Sequence, residues 1–290
     1  MQQTVFHIGY HKTATSWMQR KLFQPAHGFR PVASHAEVFA HIVQPLAFDF
    51  DPSVMRDLLA ARADGGGVPV VSSEVLSGHP FLGGREADVY AQRIQQIAPD
   101  AKILITLRNQ MQILPSVYMQ YLRRGGTLSY PAFFAGTDEP GYFGFSPLHF
   151  AYDRLVALYQ SLFGADNVVV FAQERLKADI DGSVGDLVRD LGNDTFTGLI
   201  PDARAVNAAS YPEAAVPMLR RANHVRASTL NPNPIVNIPG IERAAGGIMR
   251  RLPITSKPVS AYVAREFAGY YDASNVRLTA LVGQPLGWDR

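Results

Sequence analysis

The 290-residue chain contains no cysteine. Disulfides, thiolate nucleophiles, cysteine-based zinc sites and iron–sulfur clusters are therefore excluded, since each needs a sulfur that is absent. Lysine is also scarce, with 5 residues against 22 arginines. No run approaches the ~18 consecutive apolar residues of a membrane span, and the N-terminal MQQTVFHIGY has neither the basic nor the apolar region of a signal peptide. These absences predict a soluble, cytoplasmic protein without stable membrane insertion, whose chemistry comes from oxygen and nitrogen groups. At 47% hydrophobic and 18% charged residues the chain is long and apolar enough to bury a large core.

A net charge of +2 conceals an uneven distribution. Residues 1–130 carry 12 basic and 9 acidic groups, 131–202 carry 4 and 11, and 203–290 carry 11 and 5. Two basic segments folded onto one cleft would favour an anionic ligand. Nothing in this pattern points to nucleic acid.

Short apolar runs alternate with helical stretches. Strands are expected at residues 4–9, 68–73, 101–107 and 167–171, and helices at about 15–23, 53–63, 86–98, 110–124, 148–163 and 183–191, the last capped by Gly192. Strands apolar on both faces belong inside a parallel sheet covered on each side by helices. The aromatic, Gly- and Pro-rich stretch 125–147 is too long for an ordinary connection and reads as a lid or a floppy excursion. Residues 258–283 read as one closing helix, and no linker divides the chain, so 1–290 is expected to be a single domain.

The first strand runs into His11-Lys12-Thr13-Ala14-Thr15-Ser16 at the start of a helix. Unpaired N–H groups and the positive end of the helix dipole make such a junction an anion site, to which Lys12 adds charge and the hydroxyls add donors. It is not a Walker A loop, because only two residues separate Gly9 from the lysine. The third expected strand ends in Arg108-Asn109, with Ser116 eight residues beyond the arginine. A guanidinium fork and a hydroxyl suit a second phosphate. A nucleotide hydrolase commonly has a magnesium-holding aspartate near such a strand end, where this chain has a cation.

HIGYHKTATSWMQ resembles the phosphosulfate-binding loop of sulfotransferases that use 3′-phosphoadenosine 5′-phosphosulfate (PAPS), and Arg108-Asn109 with Ser116 is similar to their 3′-phosphate motif. The resemblance implies a three-layer α/β fold with a central parallel sheet, P-loop NTPase-like in its sulfotransferase form. It also implies PAPS as donor, 3′-phosphoadenosine 5′-phosphate (PAP) as product, and no metal. Lys12, the backbone of Thr13, Ala14, Thr15 and Ser16, Arg108 and Ser116 would bind the nucleotide. Ala14 stands where the family has glycine, and Gln110 where proline is usual. Pro115 is expected to kink the helix that follows.

The family's base sits just after the second strand named above, as histidine in one branch and as glutamate in several carbohydrate-acting enzymes. Glu74 resembles the latter, with His79 and His11 as lesser candidates. Lys12 would stabilise the leaving phosphate. His11, His79, Tyr142 and Phe145 are candidates for the acceptor side, although the aromatic residues of 130–150 could equally fill a core. Arg250 and Arg251, within the 203–290 segment expected to close over the nucleotide, are candidate phosphate ligands. Glu174 reads as a scaffold partner. The acceptor is expected to be a small molecule or glycan, a carbohydrate or glycolipid hydroxyl before an amine. A P-loop small-molecule kinase and a catalytically inactive PAP-binding protein stand as alternatives, and the oligomeric state is open.

Overall fold

The computed structural model describes residues 3–62, 64–137, 139–204, 211–241, 244, 247, 255–284 and 286–288. Five strands build its sheet: β1 Val5–His7, β2 Phe29–Ala33, β3 Val68–Ser72, β4 Lys102–Leu107 and β5 Val168–Ala172. They pair in parallel in the order β2-β3-β1-β4-β5. Twelve named helices surround them: α1 Thr15–Trp17, α2 His35–Val38, α3 Pro52–Ala61, α4 Ala87–Ile97, α5 Gln110–Arg123, α6 Tyr130–Ala135, α7 Tyr152–Phe163, α8 Glu174–Ala178, α9 Ile180–Asp190, α10 Val216–His224, α11 Pro258–Glu266 and α12 Asp272–Val282. The first two widen into π geometry over Met18–Leu22 and Phe39–Val43.

Because successive strand side chains point to opposite faces, each strand feeds two cores. Val5 and Leu104 pack with Trp17, Met18 and Leu22 and with Leu176, Val184 and Leu187 of α8 and α9. Phe6, Ile103 and Ile105 pack on the other face with Ile94, Val117 and Tyr159 of α4, α5 and α7. This is the three-layer parallel architecture expected from the doubly apolar strands.

Several local expectations change. The segment Phe29–Ala33 is a strand although Pro31 lies inside it, and it holds an edge of the sheet, where a missing N–H can face away from the ladder. The stretch 125–147 contains α6, capped by the Ser129 side chain accepting from the N–H of Ala132 at 3.3 Å, and its Phe133, Phe134 and Phe145 are buried in the larger core. Pro115 lies within α5, which runs on through it to Arg123. The closing helix is two helices, α11 and α12, separated by a turn with Gly269 at φ +69°. Gly192, at φ +74°, follows α9 as expected.

The strand order places the site. The chain leaves β1 for the β2 edge and leaves β4 for the β5 edge, so β1 and β4 flank a switch point, the usual ligand crevice at the carboxyl ends of such sheets. The register His7↔Ser72 ends β1 and β3 level, while β4 runs on from Leu104, the partner of His7, to Leu107.

Candidate functional site

Three strand ends deliver the candidate residues to one cleft of about 620 Å³. Its lining includes His11, Lys12, Ala14, Thr15 and Ser16 after β1, Glu74 after β3, and Arg108 after β4. Ser116, Gln120, Arg123 and Arg124 line it from α5 or its C-terminal end. A second cavity of about 610 Å³ shares Arg108 and Ser116 with the first and is lined further by Lys177, Tyr211, Thr255, Lys257 and Ser260.

The loop after β1 has a backbone that its residue types resist. Lys12 lies at φ +72° and Ala14 at φ +64°, a left-handed region that costs a non-glycine residue about 1–2 kcal/mol. Ala14 thus adopts the conformation for which its position would prefer glycine. Alternation of this kind gathers successive N–H groups into an anion-binding concavity, and the N–H groups of residues 12–16 donate to no protein group among the described residues. What holds the strain lies beneath the loop. Buried Thr13 donates through Oγ1 to the Tyr10 carbonyl at 2.5 Å and pairs with Thr106 Oγ1 at 2.8 Å. Thr106 pairs with His7 Nε2 at 3.0 Å, and His7 Nδ1 with Ser72 Oγ at 2.8 Å. Gly9 admits no side chain here, since a Cβ would lie 2.4 Å from Thr106 Oγ1 and 2.5 Å from Thr15 Oγ1. The Thr13 side chain therefore supports the loop from inside, leaving only its N–H for a ligand.

Arg108 and Ser116 meet as their spacing suggested, with Nη1 donating to Ser116 Oγ at 3.2 Å. The Tyr152 hydroxyl donates to the Arg108 carbonyl at 2.8 Å, and the neighbouring Asn109 N–H donates to Glu174 at 3.0 Å. Glu174 is the scaffold partner expected of it, for it also accepts from Trp288 Nε1 at 3.1 Å. Buried Arg108 Nε has no hydrogen-bond partner, an unmet donor of the sort an anion satisfies. Burial pulls the Arg108 pKa below its ordinary value. Lys12 is shifted the same way, by burial first and then by the charges of Arg123 and Arg108. Burial leads both shifts, opposed at Arg108 by the charge of Glu174 and reinforced at Lys12 by its cationic neighbours.

Glu74 opens a short 3₁₀ turn after β3 and is the one carboxylate in the lining of the first cleft. His11 is buried, with its ring 5.6 Å from that of His79. Burial, then His79, His149, Arg124 and Lys12 hold its pKa down to about 3. Tyr142 is 72% exposed and Phe145 is packed against Phe133, Phe134 and Phe150; neither lines the cleft. Arg250 and Arg251 lie outside the described residues. Sequence reasoning missed Gln120, Arg123 and Arg124, although counting helical turns on from Ser116 reaches all three.

No protein-family model matches the sequence, and no curated protein matches it significantly. Solved structures do. A sulfotransferase from Alicyclobacillus acidocaldarius aligns over 100% of both chains at a TM-score of 0.59 and 21% identity. The sulfotransferase domain of the curacin biosynthetic pathway covers 92% of this chain and 98% of its own at a TM-score of 0.45 and 11% identity. Mouse sulfotransferase SULT7A1, solved with PAP, covers 95% and 88% at 0.42 and 14%. The first of these shows that the chain has the sulfotransferase fold, α/β with a five-stranded parallel sheet between helical layers. Among the described residues no helix is long and apolar enough to cross a membrane, and no cluster of His, Asp or Glu has the arrangement of a metal site.

Proposed function

We propose that the protein transfers a sulfuryl group from PAPS to an acceptor hydroxyl. The observation that carries this reading is the convergence of two unmet anion-binding devices on one crevice: the left-handed Lys12–Ala14 loop with its free N–H groups, and the Arg108–Ser116 pair with its orphaned Nε. Their separation onto β1 and β4 suits a ligand with two anionic groups, and the second cavity beyond Arg108 gives the nucleoside room. The unpaired donors fit the nucleotide.

When bound, PAPS supplies an activated sulfuryl group. The loop N–H groups and the Thr15 and Ser16 hydroxyls hold its phosphosulfate, and Arg108 with Ser116 selects the 3′-phosphate. Lys12 faces the oxygen on which charge grows as the sulfur–oxygen bond to the nucleotide breaks. Glu74, in the lining of the same cleft, takes the proton as the acceptor oxygen bonds to sulfur. The residues used need no metal. A carbohydrate or glycolipid acceptor, by the resemblance of Glu74, and a cytoplasmic site of action complete the proposal.

The test compares ligands by thermal and urea unfolding. PAP at 100 times its dissociation constant stabilises the fold by ~2.7 kcal/mol, while ATP with magnesium at the same concentration does less. Stabilisation by Mg-ATP and none by PAP would instead make the chain a small-molecule kinase. In turnover with labelled PAPS, Glu74→Gln lowers kcat by about 10²–10⁴ with PAP binding retained. Tight PAP binding without any transfer to a broad acceptor panel would identify an inactive PAP-binding protein.

A further inference from the structure

The cleft holds more positive charge than the donor reading uses. Lys12, Arg108, Arg123 and Arg124 line it, and among the described residues Glu74 is the one carboxylate in its lining. Neither Arg123 nor Arg124 has an ion pair among the described residues. The charge of Arg123 is felt at Lys12, together with that of Arg108. That of Arg124 is felt at His11 and His79, and at His79 it is opposed by the charge of Glu86.

Arg124 is also held in place by its backbone. Its N–H closes the last turn of α5 on Gln120 at 3.0 Å, and its carbonyl accepts from the N–H of Leu230 at 3.2 Å. The following Gly125 lies at φ +99°, where a Cβ would overlap Ser228 Oγ at 1.7 Å, so only glycine fits where the chain turns away from α5. A guanidinium fixed at its root, with its fork unpaired among the described residues, is a ready receptor for a planar or tetrahedral anion.

We propose that the acceptor is itself an anionic hydroxyl compound, bearing a carboxylate, phosphate or sulfate that Arg124 receives beside His11 and His79. The proposal rests on the sulfuryl-transfer reading and narrows its acceptor class. It accounts for an arginine in the same cleft as the proposed base, where a neutral acceptor would leave the charge unused. It also explains how the acceptor is oriented: one end is anchored at Arg124 and the hydroxyl turns toward Glu74.

Equilibrium dialysis against the PAP-saturated protein tests this with two matched pairs, 4-hydroxybenzoate with 4-hydroxybenzamide and glucose 6-phosphate with glucose. At least one anionic member is expected to bind tenfold or more tightly than its neutral partner. Arg124→Gln removes that preference, Arg124→Lys keeps part of it, and both variants bind PAP as the parent does. Equal binding within both pairs overturns the proposal. So does a preference that survives Arg124→Gln, or a loss of PAP affinity in that variant, which would assign the arginine to the donor. Failure of the parent protein to bind PAP would sink the sulfuryl-transfer reading itself, so the two failures are distinguishable.

Discussion

Ala14 shows how far a single residue can be understood from its neighbours in sequence. The order Lys12-Thr13-Ala14-Thr15-Ser16 marks an anion loop, and alanine in a glycine position marks a possible conflict, but the letters do not say which side yields. The structure shows that the backbone does not: Ala14 takes φ +64° and the buried Tyr10, Thr13 and Thr106 contacts hold it there. Replacing it with glycine relieves about 1–2 kcal/mol of steric cost and gives back about 0.4–1 kcal/mol in unfolded-chain freedom. Ala14→Gly is therefore expected to raise the urea midpoint modestly, a net gain of about 0.5–1 kcal/mol. A lower midpoint would mean that the loop is not strained as described. The convergence of Lys12, Arg108 and Ser116 on one cleft was legible because each sits in a spaced motif. The presence of Arg123 and Arg124 in its lining was not, because an arginine pair at a helix end reads equally well as a solvated dipole partner.

Among the elements, α5 contributes most to the site and was only half legible. Its start, Asn109 capping the N–H of Met111 at 2.9 Å, and its length follow from the pattern. Its use of one stripe, Ser116, Gln120 and Arg123 with Arg124 just beyond, follows from the 3.6-residue period once the first member is known to face the cleft. Ser116 Oγ also donates to the Gln112 carbonyl at 3.2 Å, so the hydroxyl is aimed before any ligand arrives. Ser116→Ala removes one hydrogen bond worth about 0.5–1.5 kcal/mol, and PAP affinity should fall by roughly two- to twelvefold by calorimetry. Affinity for adenosine 5′-phosphosulfate, which lacks the 3′-phosphate, should not change. An equal loss for both ligands would move Ser116 away from 3′-phosphate recognition. In contrast β2 was illegible, because Pro31 in a short run argues against a strand until the sheet order reveals an edge. The break between α11 and α12 was hidden by residues apolar enough to continue one helix.

At the scale of the whole molecule, the uneven charge finds its place only in three dimensions. All four cleft cations come from the first basic segment. Several acidic groups of the middle segment pair elsewhere: Asp186 with Arg175 and Arg189, Asp181 with Arg204, and Asp153 with Arg277. Among the described residues Glu74 is the one carboxylate in the lining of the first cleft, while the charge of Glu86 reaches His79. The same tertiary packing buries His7 on β1, His11 on the loop and His149 before α7, each with its pKa held down to about 3, chiefly by burial. No count of eight histidines could have shown which three these are. Their common shift makes a prediction for the fold as a unit. Each folded value lies below the ordinary 6.5, so between those limits the unfolded chain binds more protons, and stability falls as pH falls. It is complete above about 6.5 and declines toward 3. The carboxylate of Glu37, held down to about 2 by Arg62 and Ser34, releases its contribution only below the ordinary carboxylate range and so leaves this window to the histidines. From pH 7 to pH 5 each histidine is expected to cost about 2 kcal/mol. Three of them together are comparable with the whole stability of a typical domain, about 5–15 kcal/mol. Urea midpoints measured at pH 7, 6 and 5 should therefore fall steeply, whereas an unchanged midpoint across this range would show that these three imidazoles are not buried in their neutral form.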